Sequence, residues 1–246
     1  MATIVLVPGF WLGAWAWEDV AQELTNAGHA VYPVTLTGLA DRVAEATPEV
    51  DVEAHITDVL RVIADNNLRQ VVLVGHSGAN MPVTGAADRL PERLARVVYV
   101  DTGPLPDGMA NIDFSPPEAQ EELRKRVAEE GDGWKIPVPP FDPAADPVNL
   151  TELSEEQLAA LRERATPQPF CTATQPLRRP STIPPTPKTV IATTFTPEQI
   201  RGLAASGNPI FGLMADMEVM HLPTGHWPMF SRPRELATLI DQTTHA

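Results

Sequence analysis

Short runs rich in β-branched residues recur along the chain, at Thr3 to Val7, Ala30 to Val34, Gln70 to Val74, Arg96 to Val100, Thr189 to Thr193 and Glu218 to Leu222. They read as almost continuously apolar rather than alternating, the pattern of strands covered on both faces. The segments between them carry helical spacing. From Val52 to Asn66, for example, Val52, Ile56, Val59, Leu60 and Ile63 share one stripe while Asp58, Arg61 and Asp65 are expected to face away. Strand and helix alternating in this way imply right-handed crossovers and an α/β fold with a mostly parallel six-stranded sheet covered by helices.

The alternation stops between Pro104 and Pro187, where 84 residues hold 16 of the 26 prolines and show no convincing central strand. The expected organisation is an α/β core formed by 1–103 and 188–246, with 104–187 inserted after the fourth strand as a mainly helical, proline-rich lid. Capping chemistry places two helices within it. Ser115-Pro-Pro-Glu118 reads as a capping box with proline at the first helical position, and the helix runs to Gly131. Ser154-Glu-Glu-Gln157 starts the second, which runs to about Ala165. A flexible linker between two domains is the competing reading, and the return of strand pattern at Thr189 argues for a lid on one sheet instead.

Composition narrows the partners. Among 246 residues, 18 Lys and Arg face 32 Asp and Glu, and a net charge of −14 argues against nucleic acid phosphates or anionic lipid as the main ligand. A small-molecule substrate is the expected partner, and a homodimer is left open. The single cysteine, Cys171, offers neither an internal disulfide nor a zinc cluster, so no metal and no cofactor are expected. The first residues lack the basic start of a signal peptide and no stretch is long enough to span a bilayer, which together suggest a cytoplasmic protein.

The chemistry concentrates at Gly75-His76-Ser77-Gly78-Ala79, directly after one apolar run and directly before a helical pattern. A serine at a sharp strand-to-helix turn needs small residues two positions before and after it, and Gly75 and Ala79 meet that need. The competing reading is a glycine-rich turn whose serine caps the helix. A serine hydroxyl is a weak nucleophile unless a base takes its proton. Of the six histidines, His226 lies in the loop between the last strand and the final helix, near the same end of the sheet as Ser77. His29 and His55 lie with the helical covers, His221 in a strand and His245 at the terminus. His76 should point elsewhere, into packing or a hydrogen bond.

The orienting carboxylate is harder to read. After Thr193 comes Thr194-Phe195-Thr196-Pro197-Glu198-Gln199, with no aspartate, and its Thr196 to Gln199 capping box assigns Glu198 to a helix. Asp101, at the carboxyl end of the preceding strand, is the preferred acid, with Asp216 and Glu218 left open and a merely structural Asp101 as the bland alternative. An oxyanion would be met by the backbone N–H groups of Gly78 and of Phe10, in the loop Pro8-Gly9-Phe10-Trp11 after the first strand. Phe10, Trp11 and Trp227 are candidate pocket walls, the first two for the acyl group, whereas Trp15 and Trp17 suit packing.

These motifs together resemble the α/β-hydrolase superfamily, in particular its small six-stranded group of plant methylesterases, plant hydroxynitrile lyases and bacterial relatives. The residues that carry the resemblance are Val7 to Trp15, Thr37-Gly38, Gly75 to Ala79, Tyr99 to Asp101 and Gly225-His226. It implies Ser77 as nucleophile, His226 as base, and the Phe10 and Gly78 amides as oxyanion hole. Two departures stand out: Pro8-Gly9 replaces the common His-Gly, and the acid usual for the superfamily is missing, so Asp101 is carried by position. The lyases have threonine where this chain has Gly9 and lysine where it has Trp227, which disfavours cyanohydrin cleavage. The resulting expectation is a serine hydrolase, an esterase, cleaving carboxylic esters of small, fairly hydrophobic substrates through an acyl-enzyme. The alternative is a non-hydrolytic protein of the same fold: a lyase-like or cyclase-like enzyme, or a small-molecule binding protein.

Overall fold

The computed structural model describes residues 1–245. Six strands form one sheet: β1 (Thr3–Val7), β2 (Ala30–Pro33), β3 (Val71–His76), β4 (Leu94–Val100), β7 (Lys188–Ala192) and β8 (Glu218–His221), in the order β2-β1-β3-β4-β7-β8 with every pair parallel. The helices that cover it are α1 (Glu18–Asn26), α2 (Val52–Asp65), α3 (Asn80–Arg89), α7 (Pro197–Ala205), α8 (Pro209–Gly212), α9 (Pro228–Ser231) and α10 (Pro233–Thr243).

The continuous apolar runs follow from burial on both faces. Along β1, Val5 and Val7 join one core with Ile56 and Val59 of α2, Met81 and Val83 of α3 and Ile200 of α7. Ile4 and Leu6 join the other, with Val20 and Leu24 of α1 and Leu236 and Ile240 of α10. Alternate residues point to opposite faces, and both faces are roofed, so no position in the strand calls for a polar side chain.

Several local expectations shift. The strand expected from Gln70 begins at Val71, because Gln70 has φ of +51° and belongs to the preceding turn, and the strand continues to His76. Asp58 does not face away from the core. Its carboxylate is buried, accepting from the Thr37 N–H at 2.7 Å, the Thr37 hydroxyl at 3.0 Å and Arg42 Nη1 at 3.0 Å, and these bonds make burial tolerable. The Ser115 capping box also does not form. Helix α4 (Pro117–Glu130) starts one residue later, with Pro116 extended at φ −62° and ψ 157°. A residue that precedes proline is pushed out of the helical region, so Pro116 cannot begin the helix ahead of Pro117. The other two boxes form: Ser154 Oγ accepts the Gln157 amide at 3.2 Å, and Thr196 Oγ1 accepts the Gln199 amide at 3.2 Å.

Residues 104–187 add no strand to the large sheet among the described residues. They contain α4, α5 (Glu155–Arg164), α6 (Cys171–Thr174) and a separate two-stranded antiparallel pair, β5 (Lys135–Ile136) with β6 (Gln168–Pro169). Their side chains seat in three places. Leu105 and Leu177 reach the α2–α3 side, Phe141, Leu158 and Leu161 the α1–α10 side, and Val127, Ile136 and Ala173 form a small cluster against Phe10 and Trp11. A buried ion pair, Arg179 Nε to Asp88 Oδ2 at 2.7 Å, ties the end of the segment to α3.

Candidate active site

Strand β3 runs into α3 through a turn whose tightness is measurable. A Cβ placed on Gly75 would lie 2.7 Å from the Val83 side chain on α3, so only glycine lets strand and helix approach this closely. Ser77 itself holds φ of +51°, a left-handed conformation that costs a non-glycine residue energy and turns its side chain off the end of the sheet.

His226 arrives on the loop between β8 and α9. Its N–H donates to the Asn149 carbonyl at 2.9 Å, and its own carbonyl accepts from His76 Nε2 at 2.7 Å. The ring is thereby held from both sides of its backbone. His226 Nε2 lies 2.8 Å from Ser77 Oγ, and Nδ1 lies 2.6 Å from Asp101 Oδ2. With the carboxylate able only to accept, Nδ1 carries the proton and donates to it, which leaves Nε2 as acceptor for the serine hydroxyl.

Asp101 follows β4 directly. Its amide donates to the Ile191 carbonyl at 2.8 Å, and its φ of +47° turns the carboxylate back towards the serine loop. Oδ1 accepts the Thr193 amide at 3.1 Å, the Thr194 amide at 3.0 Å and the Thr194 hydroxyl at 2.9 Å. Burial acts to raise its pKa, but the bond to His226, the charge of that ring and the Thr194 amide outweigh it and hold the carboxyl well below the usual carboxylate range. The two other acids left open by the sequence are elsewhere. Asp216 is exposed, and Glu218 begins β8 at the opposite end of the sheet, where it accepts from Thr189 Oγ1 at 3.0 Å.

His76 is fully buried. Burial, and after it the nearby charge of His226, push its pKa down to about 3, so it stays neutral and donates its Nε2–H to the His226 carbonyl. That hydrogen bond is the role expected of it.

The loop after β1 closes over the serine. A Cβ on Gly9 would come 2.9 Å from His76 Nδ1 and 3.0 Å from Ser77 Cβ, and one on Gly78 would collide with the Phe10 ring. Phe10 and Gly78 are therefore in contact beside Ser77. Trp11 takes φ of +67° and its amide donates to Gln168 Oε1 at 3.1 Å, which pins this loop to the 104–187 segment.

Two cavities open on Ser77. Phe10, Ser77, Gly78 and Asn111 border both. The larger, about 480 Å³, extends under Ile112, Phe195, Phe211 and Met214. The smaller, about 370 Å³, extends under Trp11, Phe141, His226 and Trp227. All three wall residues expected from the sequence thus line a cavity at Ser77, but Trp11 and Trp227 line only the smaller one. The walls of the larger cavity were not anticipated, nor was Asn111, whose Nδ2 donates to Asn80 Oδ1 at 3.1 Å. These residues sit in loops and short helices with no motif, and only the folded chain brings them to the serine. Among the described residues no group of three or more His, Cys, Asp or Glu side chains is arranged to hold a metal ion, and no helix is long and apolar enough to cross a membrane.

Comparison with known proteins agrees with this architecture. A family model described as the alpha/beta hydrolase family matches residues 4–239. A carbendazim hydrolyzing esterase from Nocardioides sp. (strain SG-4G) is 44% identical over 101 residues, a match that covers 41% of this chain and 42% of that protein. Methylesterase 7 of Arabidopsis thaliana is 25% identical over 256 residues, covering 96% of this chain and 94% of its own. Among solved structures, an extracellular α/β-hydrolase from a Paenibacillus species superposes with a TM-score of 0.76 at 22% identity, covering 98% of each chain. Tomato methylketone synthase I, in its complex with 2-tridecanone, superposes with a TM-score of 0.75 at 18% identity, covering 99% of this chain and 98% of that one. At these identities the structural likeness speaks for the fold.

Proposed function

The chain belongs to the α/β-hydrolase family, and on that premise we propose that it is a serine esterase that cleaves carboxylic esters of small, fairly hydrophobic substrates. The single observation that carries the proposal is the continuous hydrogen-bonded relay from Ser77 through His226 to Asp101, at 2.8 Å and 2.6 Å, which opens directly onto the two cavities. Esterase and methylesterase relatives support the same reading.

In this mechanism His226 Nε2 takes the Ser77 proton as Oγ attacks the ester carbonyl, and Asp101 stabilises the imidazolium that results. The oxyanion of the tetrahedral intermediate is met by the Phe10 and Gly78 amides. Collapse breaks the bond to the alcohol, which leaves with the proton from His226, and the acyl group stays on Ser77 as an ester. Water then gives its proton to His226 and attacks the acyl-enzyme, and the acid departs as Ser77 recovers its proton. Residues 104–187 act as a lid over this site, supported by their packing against Phe10 and Trp11. A cytoplasmic location is part of the same proposal, supported by a chain with one cysteine and hence no internal disulfide.

The test is hydrolysis of short p-nitrophenyl esters. Wild type should turn them over and Ser77→Ala should not, and equal activity in the two proteins would sink the assignment.

A further inference from the structure

The two cavities at Ser77 differ in which member of the relay they touch. Asp101 borders the 480 Å³ cavity, and His226 borders only the 370 Å³ cavity. In acyl transfer the imidazolium hands its proton to the departing oxygen, so that oxygen must lie within hydrogen-bond reach of Nε2. The group attached to it extends into whatever space the histidine lines. From the same carbonyl carbon, the acyl chain extends the other way.

On the esterase reading given above, we propose that the larger cavity holds the acyl half and the cavity under Trp227 holds the alcohol half, so that the substrates are uncharged esters bulky on both sides. The chemistry of the walls fits this division. The acyl side is apolar, built from Ile112, Phe195, Ile210, Phe211 and Met214, with the Phe195 and Phe211 rings packed edge to face at 5.5 Å. The alcohol side is walled by Trp227 and Phe141, T-shaped at 5.6 Å, together with Pro139 and Pro140, and it carries the carboxylates of Asp142 and Asp146, which disfavour an anionic alcohol.

Size separates this chain from an enzyme built for methyl esters. A leaving methoxy group has only two heavy atoms, about twice the bulk of a water molecule at about 30 Å³, whereas the space beside His226 is about 370 Å³. That is the scale of a pocket for a whole small molecule. An aromatic alcohol would lie there against the Trp227 face and exclude water from the departing oxygen. Trp11, expected from the sequence to wall the acyl group, belongs on this assignment to the alcohol side.

The experiment measures kcat/KM for benzyl octanoate, benzyl acetate and methyl octanoate. Benzyl alcohol and methanol have similar acidity, so their ratio reports fit rather than leaving-group reactivity. Wild type should prefer benzyl octanoate over methyl octanoate by about tenfold or more. Ala145→Trp, at an exposed position on the alcohol wall, should lower the benzyl-to-methyl ratio by about tenfold and leave the octanoyl-to-acetyl ratio unchanged. Phe211→Ala should do the reverse. A preference for methyl octanoate, or variants that act on each other's ratio, overturns the assignment while the esterase reading stands. No turnover of any ester, with no labelling of Ser77 by a fluorophosphonate, overturns that reading and this one together.

Discussion

Replacing Asp101 by asparagine tests the relay with almost no change in shape. The orientation of the new amide is decided by its neighbours. Oδ1 accepts from the Thr193 amide, the Thr194 amide and the Thr194 hydroxyl, two of which are fixed backbone donors, so the asparagine carbonyl oxygen must take that side. Its NH₂ then faces His226 Nδ1 across the 2.6 Å contact now made by Oδ2. Two donors cannot share a hydrogen bond, and the ring must move its proton to Nε2, where it points at Ser77 Oγ, 2.8 Å away. In that tautomer His226 cannot accept the serine proton. Loss of the correct tautomer and of charge stabilisation in a serine triad costs about 10⁴-fold in kcat, equivalent to about 5.4 kcal/mol of barrier. The assay is steady-state hydrolysis of a p-nitrophenyl ester, with circular dichroism to show that the variant is folded. Asp216→Asn and Glu218→Gln should keep wild-type rates. An Asp101→Asn enzyme that retains more than a tenth of wild-type kcat would refute the reasoning.

Two further outcomes follow from buried titratable groups. His76 has its folded pKa depressed to about 3, against about 6.5 for a free histidine. Its contribution to stability is therefore complete above about pH 6.5 and shrinks as the unfolded chain takes up a proton that the folded chain refuses. Between pH 6.5 and 5 this single group should remove about 1–2 kcal/mol. In urea unfolding at the two pH values, His76→Gln, whose amide can still donate to the His226 carbonyl, should lose less stability than wild type over that interval. Arg179→Met leaves Asp88 buried without its cation and should destabilise by about 3–5 kcal/mol, read as a lowered urea midpoint. The double variant Arg179→Met, Asp88→Leu should regain a large part of that loss, because no uncompensated charge remains.

What could be read before folding, and what could not, divides along physical lines. The six strands and their order of alternation with helices were legible because burial on both faces of a parallel sheet leaves an unbroken apolar signature, and β3 is buried at every residue. The nucleophile turn was legible because Gly75 and Ala79, two positions either side of Ser77, answer to a local steric requirement. Asp101 was a weaker inference from position, since an acid at the end of β4 meets His226 only through sheet order: β3, β4, β7 and β8 lie side by side. The burial of Asp58 likewise depends on residues distant in the chain. Its partners, Thr37 and Arg42, lie 21 and 16 residues earlier in the chain, and helical periodicity carries no information about them. The Ser115 box failed on a conflict between two local rules, capping preference against the backbone restriction before proline, and the steric rule won. The substrate cavities were the least legible, because Asn111, Phe195 and the Phe211–Met214 turn come from three separated segments that share no motif.

The central claim is that Ser77 is a nucleophile activated by His226. Intact-protein mass spectrometry after treatment with a fluorophosphonate tests it most directly, with peptide mapping to locate the adduct. The account predicts one phosphonyl group per chain, on the peptide that contains Ser77, lost in Ser77→Ala and strongly slowed in His226→Ala. Absence of any adduct, or an adduct of equal yield in Ser77→Ala, would contradict it.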